Sequence, residues 1–158
     1  ILKEKIIQQI NSYKQLAKER LTRIKLDREL IRILCSLIYF CEGTKNSRSG
    51  VRFTNSDSRL ASTFLELFRV GFDIQESKLR VCLHLHEYHN KTKQLNFWSK
   101  NLRIPKTQFI NSFQKKNTGK RIREGYNGCA SIRYYDNSIA RQLLAIAEVF
   151  MSELKMVN

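Results

Sequence analysis

The sequence is poor in acidic residues and contains no long apolar run. Fourteen Asp and Glu residues stand against 29 Lys and Arg residues, which leaves a formal net charge of +15. No stretch of about 18 apolar residues occurs, which excludes a bilayer-spanning helix. No segment repeats at the roughly 20–50-residue spacing of solenoid proteins. Because such a positive chain repels itself unless a polyanion binds it, nucleic acid is the first expected partner and a membrane surface the weaker alternative.

The four cysteines form no CxxC pair. Cys35, Cys41 and Cys82 lie within apolar or strand-like runs, and Cys129 begins one. This pattern predicts reduced, buried thiols in an intracellular protein, cytoplasmic or organellar, rather than a disulfide framework. With 42% hydrophobic residues the chain can build a core. Its length favours one domain over 29–158, preceded by a helix or connector over 1–28.

Apolar residues at helical spacing predict helices over about 1–28, 27–41, 57–70 and 91–102, and from 137 onward. A short helical turn is expected after Pro105. Three roles stay open for the basic first helix: a cap on the core, a connector to an upstream module, or an arm that contacts phosphates. The second helix has little polar surface, so we expect it at the centre of the fold. It ends at Glu42-Gly43, where glycine suits a left-handed turn.

Alternating residues predict strands at Val51–Thr54, Lys78–Glu87 and Cys129–Tyr135, whereas 110–128 shows no strong period. One side of each strand is apolar and is expected on the core. The other sides together carry no acidic residue, and they consist of Arg52, Thr54, Arg80, Cys82, His84, His86, Ser131, Arg133 and Tyr135. A merely solvated face would mix Lys, Glu and Thr. This face is therefore predicted to bind DNA, where arginine bonds two acceptors of guanine and small hydroxyls read either base type.

A second basic feature is the segment 115–123, in which glycine allows the backbone to approach a phosphate. Its cations supply the charge for counterion release, so the segment is predicted to contact DNA phosphates. These cations are Lys115, Lys116, Lys120, Arg121 and Arg123. Arg48, in the polar turn over 44–50, is also predicted to bind DNA.

Metal binding has one favoured candidate. Cys82, His84 and His86 share a strand face, but side chains on one strand splay apart and no partner Cys/His pair lies nearby, which disfavours zinc. Glu42 follows a buried helix directly, and its carboxylate suits Mg²⁺ or another divalent cation that shares its ligands with a phosphate. Gly43 is taken as a further ligand, and Lys45 as an assisting catalytic residue, from proximity alone. Because one carboxylate supplies few ligands to a divalent metal, the second acidic residue is expected from a symmetry-related copy of the chain.

The apolar segment 34–41 followed by Glu42-Gly43-Thr44-Lys45 resembles the motif of LAGLIDADG homing endonucleases, whose closing acid and glycine match Glu42 and Gly43. The stretch from about Leu34 to Phe150 looks like a prokaryotic branch with an acidic-glycine-x-lysine ending. The resemblance implies an α+β fold, an antiparallel saddle sheet backed by helices, here with an extra N-terminal helix. It also implies that this sheet lies in the DNA major groove. A homodimer formed through the 30–43 helix is expected to bring two acids together for metal-dependent cleavage.

Three functions remain open under this resemblance. The leading expectation is a site-specific, Mg²⁺-dependent endonuclease acting on double-stranded DNA. The alternative is a DNA-binding transcription regulator that keeps the fold without cleavage. An RNA-binding or splicing role is less favoured, because aromatics such as Phe64, Phe68, Trp98 and Phe150 lie on core stripes rather than where they can stack on unpaired bases.

Overall fold

The chain folds as a sheet covered on one face by helices. The computed structural model describes residues 2–115, 122 and 124–154. In chain order these form α1 (Leu2–Leu21), α2 (Arg28–Glu42), β1 (Val51–Asn55), α3 (Ser58–Gly71), β2 (Leu79–His86), α4 (Lys91–Leu102), β3 (Phe109–Lys115), β4 (Cys129–Tyr134) and α5 (Asn137–Leu154). Short 3₁₀ turns at Glu76–Lys78 and Lys106–Gln108 precede β2 and β3.

The strands form one mixed sheet in the order β1-β4-β2-β3. β4 is antiparallel to β1 and to β2, whereas β3 is parallel to β2. The expected α+β class, with helices backing the sheet, is confirmed. The expectation of a wholly antiparallel sheet is wrong for the β2–β3 pair. Between these strands the chain returns through α4, which is the kind of crossover that parallel pairing needs.

Strand β3 lies in a stretch for which the sequence predicts no strand. It is an edge strand, most of its residues are exposed, and only Phe109 and Ser112 are half-buried. Its pairing with β2 also shifts between Cys82 and His84. An edge strand with a shifted register has no reason to alternate strictly, so the period-2 signal is absent.

An aromatic cluster joins the helices to the inner face of the sheet. The Phe64 ring on α3 stacks on Phe53 of β1, with 4.2 Å between centroids, and on Tyr39 of α2 at 5.9 Å. Phe68 continues the series at 5.6 Å from Phe64. All four side chains are fully buried. This cluster fixes the end of α2 relative to β1 through burial and ring stacking.

Helix α2 is less buried than its sequence predicts. Asp27 caps it by accepting the N–H of Leu30 at 2.9 Å, the usual role of Asp at this position. Only Cys35, Ser36 and Tyr39 are buried, while other apolar residues of the helix are half-buried. The expectation of a buried helix at the centre of the fold is met on the face that packs on α3 and α5, and it is wrong for the face that stays open.

The end of α2 also differs from the expected left-handed turn. Gly43 is extended, with φ of −87°, and its N–H donates to the carbonyl of Tyr39 at 2.7 Å. It forms an isolated antiparallel bridge with Phe53. A Cβ at this position would lie 2.4 Å from carbons of the Tyr39 ring. Glycine is required here by close packing against Tyr39 and not by a positive φ.

Helix α1 stands apart from this core. None of its residues is buried, although Leu2, Ile6 and Ile10 are apolar. It ends at Leu21 instead of near residue 28, and Asp27 already caps α2. The role of a cap on the core is wrong for α1, whereas the connector and arm roles stay predictions. Within the described residues no helix is long and apolar enough to cross a membrane.

The cysteines are free, and they differ in exposure. Cys35 and Cys82 are buried, Cys129 is half-buried and Cys41 is exposed. The expectation of buried thiols is wrong for Cys41, which lies on the open side of the last turn of α2.

Candidate nucleic-acid interface

The sheet turns one face away from the helices, and we call it the outer sheet face. Alternation along β1, β2 and β4 puts the residues predicted for DNA binding on this face. Phe113 and Lys115 of β3 join them, since they pair with His84 and His86. The face comprises Arg52, Thr54, Arg80, Cys82, His84, His86, Phe113, Lys115, Cys129, Ser131 and Arg133, and none of these strand residues is acidic.

The strand register sets three arginines in one row across the sheet. Arg133 of β4 pairs with Arg52 of β1 on one side and with Arg80 of β2 on the other. Neighbouring strands lie about 4.8 Å apart, so the three side chains start close together. Like charges placed opposite one another destabilise a sheet. A bound anion offsets that repulsion, which makes the row suited to phosphate or to the acceptor edge of a base.

The three arginines differ in their contacts. Arg80 donates to the carbonyl oxygens of Ser77 at 2.6 Å and Leu79 at 2.7 Å. Arg52 is exposed. The Nε of Arg133 is buried and has no hydrogen-bond partner within the described part of the chain. A buried donor without a partner is costly, so a ligand that supplies an acceptor there gains binding energy.

Hydroxyl, thiol and imidazole groups follow the arginine row. The Thr54 hydroxyl donates to that of Ser131 at 2.8 Å. The Cys82 thiol donates to the carbonyl of Asn111 at 3.4 Å. Thr54 is half-buried, whereas Ser131 is 1% exposed and Cys82 is 5% exposed. The Ser131 hydroxyl, predicted to bind DNA, therefore supports Thr54 from within the sheet instead of meeting a ligand.

His84 is the second residue of this face with an unpartnered buried nitrogen. Its Nε2 has no hydrogen-bond partner among the residues described, and its ring lies 5.9 Å from that of Phe113. The pKa of His84 lies below its ordinary value, first because burial disfavours the charged ring and then because Arg133, Lys115 and Arg52 repel the charge. A polyanion over this face relieves that repulsion.

The remaining residues predicted for DNA binding lie next to β1 and β4 or outside the residues that the structure describes, and Lys115 of the face lies at its edge. Tyr135 is exposed just after β4, Arg48 is exposed in the turn before β1, and Lys115 is exposed at the end of β3. Lys116, Lys120, Arg121 and Arg123 lie outside the described residues. The sequence did not predict Phe113 as part of this face, because the residues of β3 do not alternate in a way that shows where the Phe113 side chain points.

The end of α2 presents the predicted acidic residue. Glu42 is exposed, and its carboxylate accepts from the Nδ2 of Asn55 at 3.3 Å. The Oδ1 of Asn55 accepts the N–H of Asp57 at 2.8 Å, which fixes the amide. Asn55 was not singled out from the sequence, because a polar residue at the end of a short strand carries no distinctive signal.

The structure does not bring Lys45 to the Glu42 carboxylate. Its ammonium donates to the carbonyl oxygens of Phe40 and Gly43, the latter at 3.2 Å, and lies 5.0 Å from the centroid of the Phe40 ring. A cation at this place favours the C-terminus of a helix. The Gly43 carbonyl, predicted as a metal ligand, is occupied by this contact.

The donor set at Glu42 suits half of a magnesium site. Mg²⁺ keeps several waters and usually takes one or two carboxylates together with substrate phosphates. Glu42 supplies one carboxylate, with one oxygen held by Asn55. Over residues 2–115, 122 and 124–154 no group of three or more His, Cys, Asp or Glu residues is placed to hold a metal. A second copy of the chain would have to supply the other carboxylate.

Comparisons of this chain with protein-family models, with curated proteins and with solved structures find no match. Functional inference therefore depends on the geometry of the outer sheet face and of the α2 terminus.

Proposed function

We propose that this chain is a site-specific DNA-binding protein of the LAGLIDADG homing-endonuclease type, which cleaves double-stranded DNA as a homodimer with a divalent metal. The observation that carries the proposal is the outer sheet face. It combines an arginine row, two unpartnered buried nitrogens and a lack of acidic residues. Those features match a ligand that is anionic and rich in hydrogen-bond acceptors.

The major groove of B-form DNA suits such a surface. It admits β-structure and presents guanine N7 and O6 to arginine in a two-point contact. Arg52 is exposed and Arg133 is half-buried on this face, and Thr54 supplies a hydroxyl of the kind that reads either base type. The cost of three adjacent cations is then offset by the polyanion, and the affinity depends strongly on salt.

The open face of α2 supports pairing of two copies. Ile33, Leu34 and Leu37 are only half-buried. Beside them, α2 and α5 border an apolar cavity of about 460 Å³, lined by Ile33, Ala145, Ile146, Val149, Phe150 and Glu153. A two-fold axis along this face pairs identical surfaces. Such pairing brings the Glu42 residues of both copies to the same end of the helix pair.

Cleavage would use the exposed carboxylate of Glu42. When bound, Mg²⁺ would supply charge neutralisation at the phosphate and an activated water. Glu42 would hold the cation, Asn55 would keep the Glu42 carboxylate oriented, and the outer sheet face would fix the register of the duplex. To assist cleavage, the Lys45 ammonium would have to leave the carbonyl oxygens of Phe40 and Gly43 and turn toward the phosphate.

The second candidate is a DNA-binding regulator of the same fold without cleavage. One specific observation favours it: Lys45 and the Gly43 carbonyl bind each other instead of facing Glu42. In that case the outer sheet face keeps its role and Glu42 has no phosphate to act on.

Selection from a random duplex library, followed by cleavage of the selected sites, separates the two candidates. The endonuclease cuts its selected sites when Mg²⁺ is present and leaves them intact when EDTA is added. Specific binding without cutting supports the regulator. Binding equally weak to all duplexes contradicts both, and preferential binding of RNA hairpins in competition would move the proposal to RNA.

A further inference from the structure

A second concave site lies beside the outer sheet face, at the turn between β2 and α4. It is a cavity of about 260 Å³, somewhat smaller than pockets for drug-sized ligands. Two stretches of chain and the first turns of α4 form its walls. They are Tyr88, the buried His89 and Asn90 after β2, Lys93 and Gln94 of α4, and Ile122, Glu124, Gly125, Tyr126 and Asn127 before β4. A cavity of this size suits one planar ring system.

A ladder of rings connects the cavity to the outer sheet face. The His86 ring, on that face, stacks on Tyr88 with 5.3 Å between centroids and 4° between planes. Tyr88 stacks in turn on His89 at 4.4 Å. Tyr126 lies across from them, with its ring 5.5 Å from that of His89. A base that leaves the duplex above His86 therefore meets aromatic surfaces along the way into the cavity.

Hydrogen bonds hold the walls in place. Nδ1 of His89 accepts the N–H of His86 at 2.8 Å, so its Nε2 carries the proton and donates to the carbonyl of Tyr126 at 2.9 Å. Trp98 donates through Nε1 to the carbonyl of Asn127 at 2.8 Å. Gly128 follows, with φ of +74° and no room for a Cβ against the His84 carbonyl. These contacts fix the wall of the cavity that is formed by His89, Tyr126 and Asn127.

Gln94 gives the cavity its hydrogen-bonding chemistry. The residue is 6% exposed, and its Oε1 is buried without a hydrogen-bond partner among the described residues. A buried, unpaired amide oxygen is costly, and a rotation of the Gln94 side chain toward the cavity would let a ligand N–H remove that cost. A glutamine amide offers an acceptor beside a donor, the pair that matches the amino group and neighbouring ring nitrogen of adenine.

We infer that this cavity binds an adenine ring, which stacks on Tyr88 and bonds to the amide of Gln94, with Lys93 at the rim for a phosphate. The ring comes either from an unpaired adenine of the bound duplex or from a free adenine nucleotide. The first source rests on the proposed DNA binding, whereas the second does not. Both sources share the same contacts, because stacking and the amide pair recognise the base alone.

The test for an unpaired base compares labelled duplexes that differ at one position. Fluorescence anisotropy measures binding to a duplex with adenine opposite an abasic site, to the same duplex with guanine, cytosine or thymine there, and to the fully paired duplex. We expect about tenfold tighter binding of the unpaired adenine, the factor typical of one stacked base. Calorimetric titration with AMP, and with GMP as its control, tests the free nucleotide.

Two variants and a matched control locate the effect. Gln94→Leu removes the amide while keeping the volume, and Tyr88→Ala removes a stacking surface at a half-exposed position. Each is expected to abolish the adenine preference and AMP binding. Asn96→Leu, on the exposed side of the same helix, is expected to leave both intact. Thermal unfolding of each variant checks that the fold is kept.

Together, the AMP titration and the duplex comparison distinguish the two sources of the adenine ring. Tight AMP binding without a preference for unpaired adenine supports the site and assigns it to a free nucleotide. If neither AMP binding nor a preference for unpaired adenine is found, the inference is overturned. An adenine preference that survives Gln94→Leu also overturns it, because the Gln94 amide would then not contact the base. Loss of binding to all duplexes, with AMP binding retained, overturns the proposed function and keeps the adenine site.

Discussion

The outer sheet face and the end of α2 are the two regions on which the proposed function depends, and they are built differently. The sheet face takes residues from all four strands, aligns three arginines by register and leaves two buried nitrogens unpartnered. The end of α2 offers one exposed carboxylate held by Asn55 and a lysine engaged with backbone carbonyl oxygens.

Under the proposed function this difference separates binding from cutting. The sheet face holds within one chain the cations and hydrogen-bond donors proposed to bind a duplex. The proposed metal site at the α2 terminus has one carboxylate within one chain, and the proposal takes the other from a second copy. Substitutions on the outer sheet face should therefore change DNA affinity, whereas substitutions at the end of α2 should change the cleavage rate.

The largest effect is expected from Glu42→Gln, which keeps the shape of the side chain and removes its charge. Cleavage of a selected site should fall by about 10²–10⁴-fold, the usual loss for a positioned catalytic group. DNA affinity should change little, because Glu42 is not on the outer sheet face. Initial cleavage rates with Mg²⁺, and anisotropy in Ca²⁺ or EDTA, measure the two quantities.

Glu19→Gln is the matched control for that prediction, since Glu19 is an exposed acid on α1. It should leave both cleavage and binding unchanged. If Glu42→Gln lowers affinity as much as cleavage, the two regions are coupled and the separation is wrong.

The next effect is expected from Arg133→Ala, at the centre of the arginine row. Loss of a two-point base contact should weaken binding of the selected site by about 1–3 kcal/mol and relax the sequence preference at one position. Arg141→Ala removes the same charge from an exposed place on α5 and should not alter sequence preference. Equal weakening on all sequences would mean that Arg133 touches only phosphates.

A comparable effect, on stability, is expected from Gly43→Ala. The added methyl group meets the Tyr39 ring at 2.4 Å and its carbonyl oxygen at 2.7 Å. Overpacking of this kind should lower the free energy of unfolding by about 1–3 kcal/mol, which urea denaturation measures. Gly71→Ala is the control, because its methyl group meets the Arg32 side chain at 3.2 Å and the Ile31 side chain at 3.4 Å, which are much looser contacts than those at Gly43. A stable Gly43→Ala protein would show that Tyr39 moves easily and that the end of α2 is not fixed.

The smallest effect is expected from pH. His84 in the free protein has a lowered pKa through burial and through the charges of Arg133, Lys115 and Arg52. Because DNA phosphates reduce that repulsion, binding raises the pKa and takes up a proton. Affinity should then rise by up to about tenfold between about pH 7.5 and 5.5.

In the free protein the same shift acts on stability with the opposite sense. The unfolded chain protonates this histidine below its ordinary value of 6.5, whereas the folded chain resists protonation. The free energy of unfolding therefore decreases as pH falls below about 6.5. His84→Gln should remove this contribution from both the stability and the binding profiles. An unchanged binding profile in that variant would show that His84 does not take up the proton.

The sequence could predict elements whose burial is periodic. α4 falls at the expected residues, and Asp27 and Asp57 cap helices close to where apolar periodicity begins. The polar side of β1, β2 and β4 follows from alternation alone, so most of the outer sheet face is readable before folding. Strand β3 could not be predicted, because an edge strand is exposed along most of its length and shows no alternation of buried and exposed residues. The orientation of Phe113 could not be predicted for the same reason.

Contacts between distant residues were beyond the sequence. The hydrogen bond of Asn55 to Glu42, 13 residues apart, and that of His89 to Tyr126, 37 residues apart, depend on where chain segments meet. The motif at 34–45 drew attention to Glu42 and suggested a buried helix and a left-handed glycine. The structure instead leaves one face of α2 open beside α3 and α5. Glycine is required at position 43 by close contact with the Tyr39 ring and not by a left-handed conformation.

Composition and alternation thus determined that the chain carries a cationic sheet face free of acids, because side-chain chemistry and strand period are local properties. Tertiary structure alone decided that Arg52, Arg133 and Arg80 share a row, that β3 runs parallel to β2, and that Gln94 is enclosed beside Tyr88. Register, crossover and enclosure depend on segments far apart in the chain, and only packing of the whole core brings those segments together.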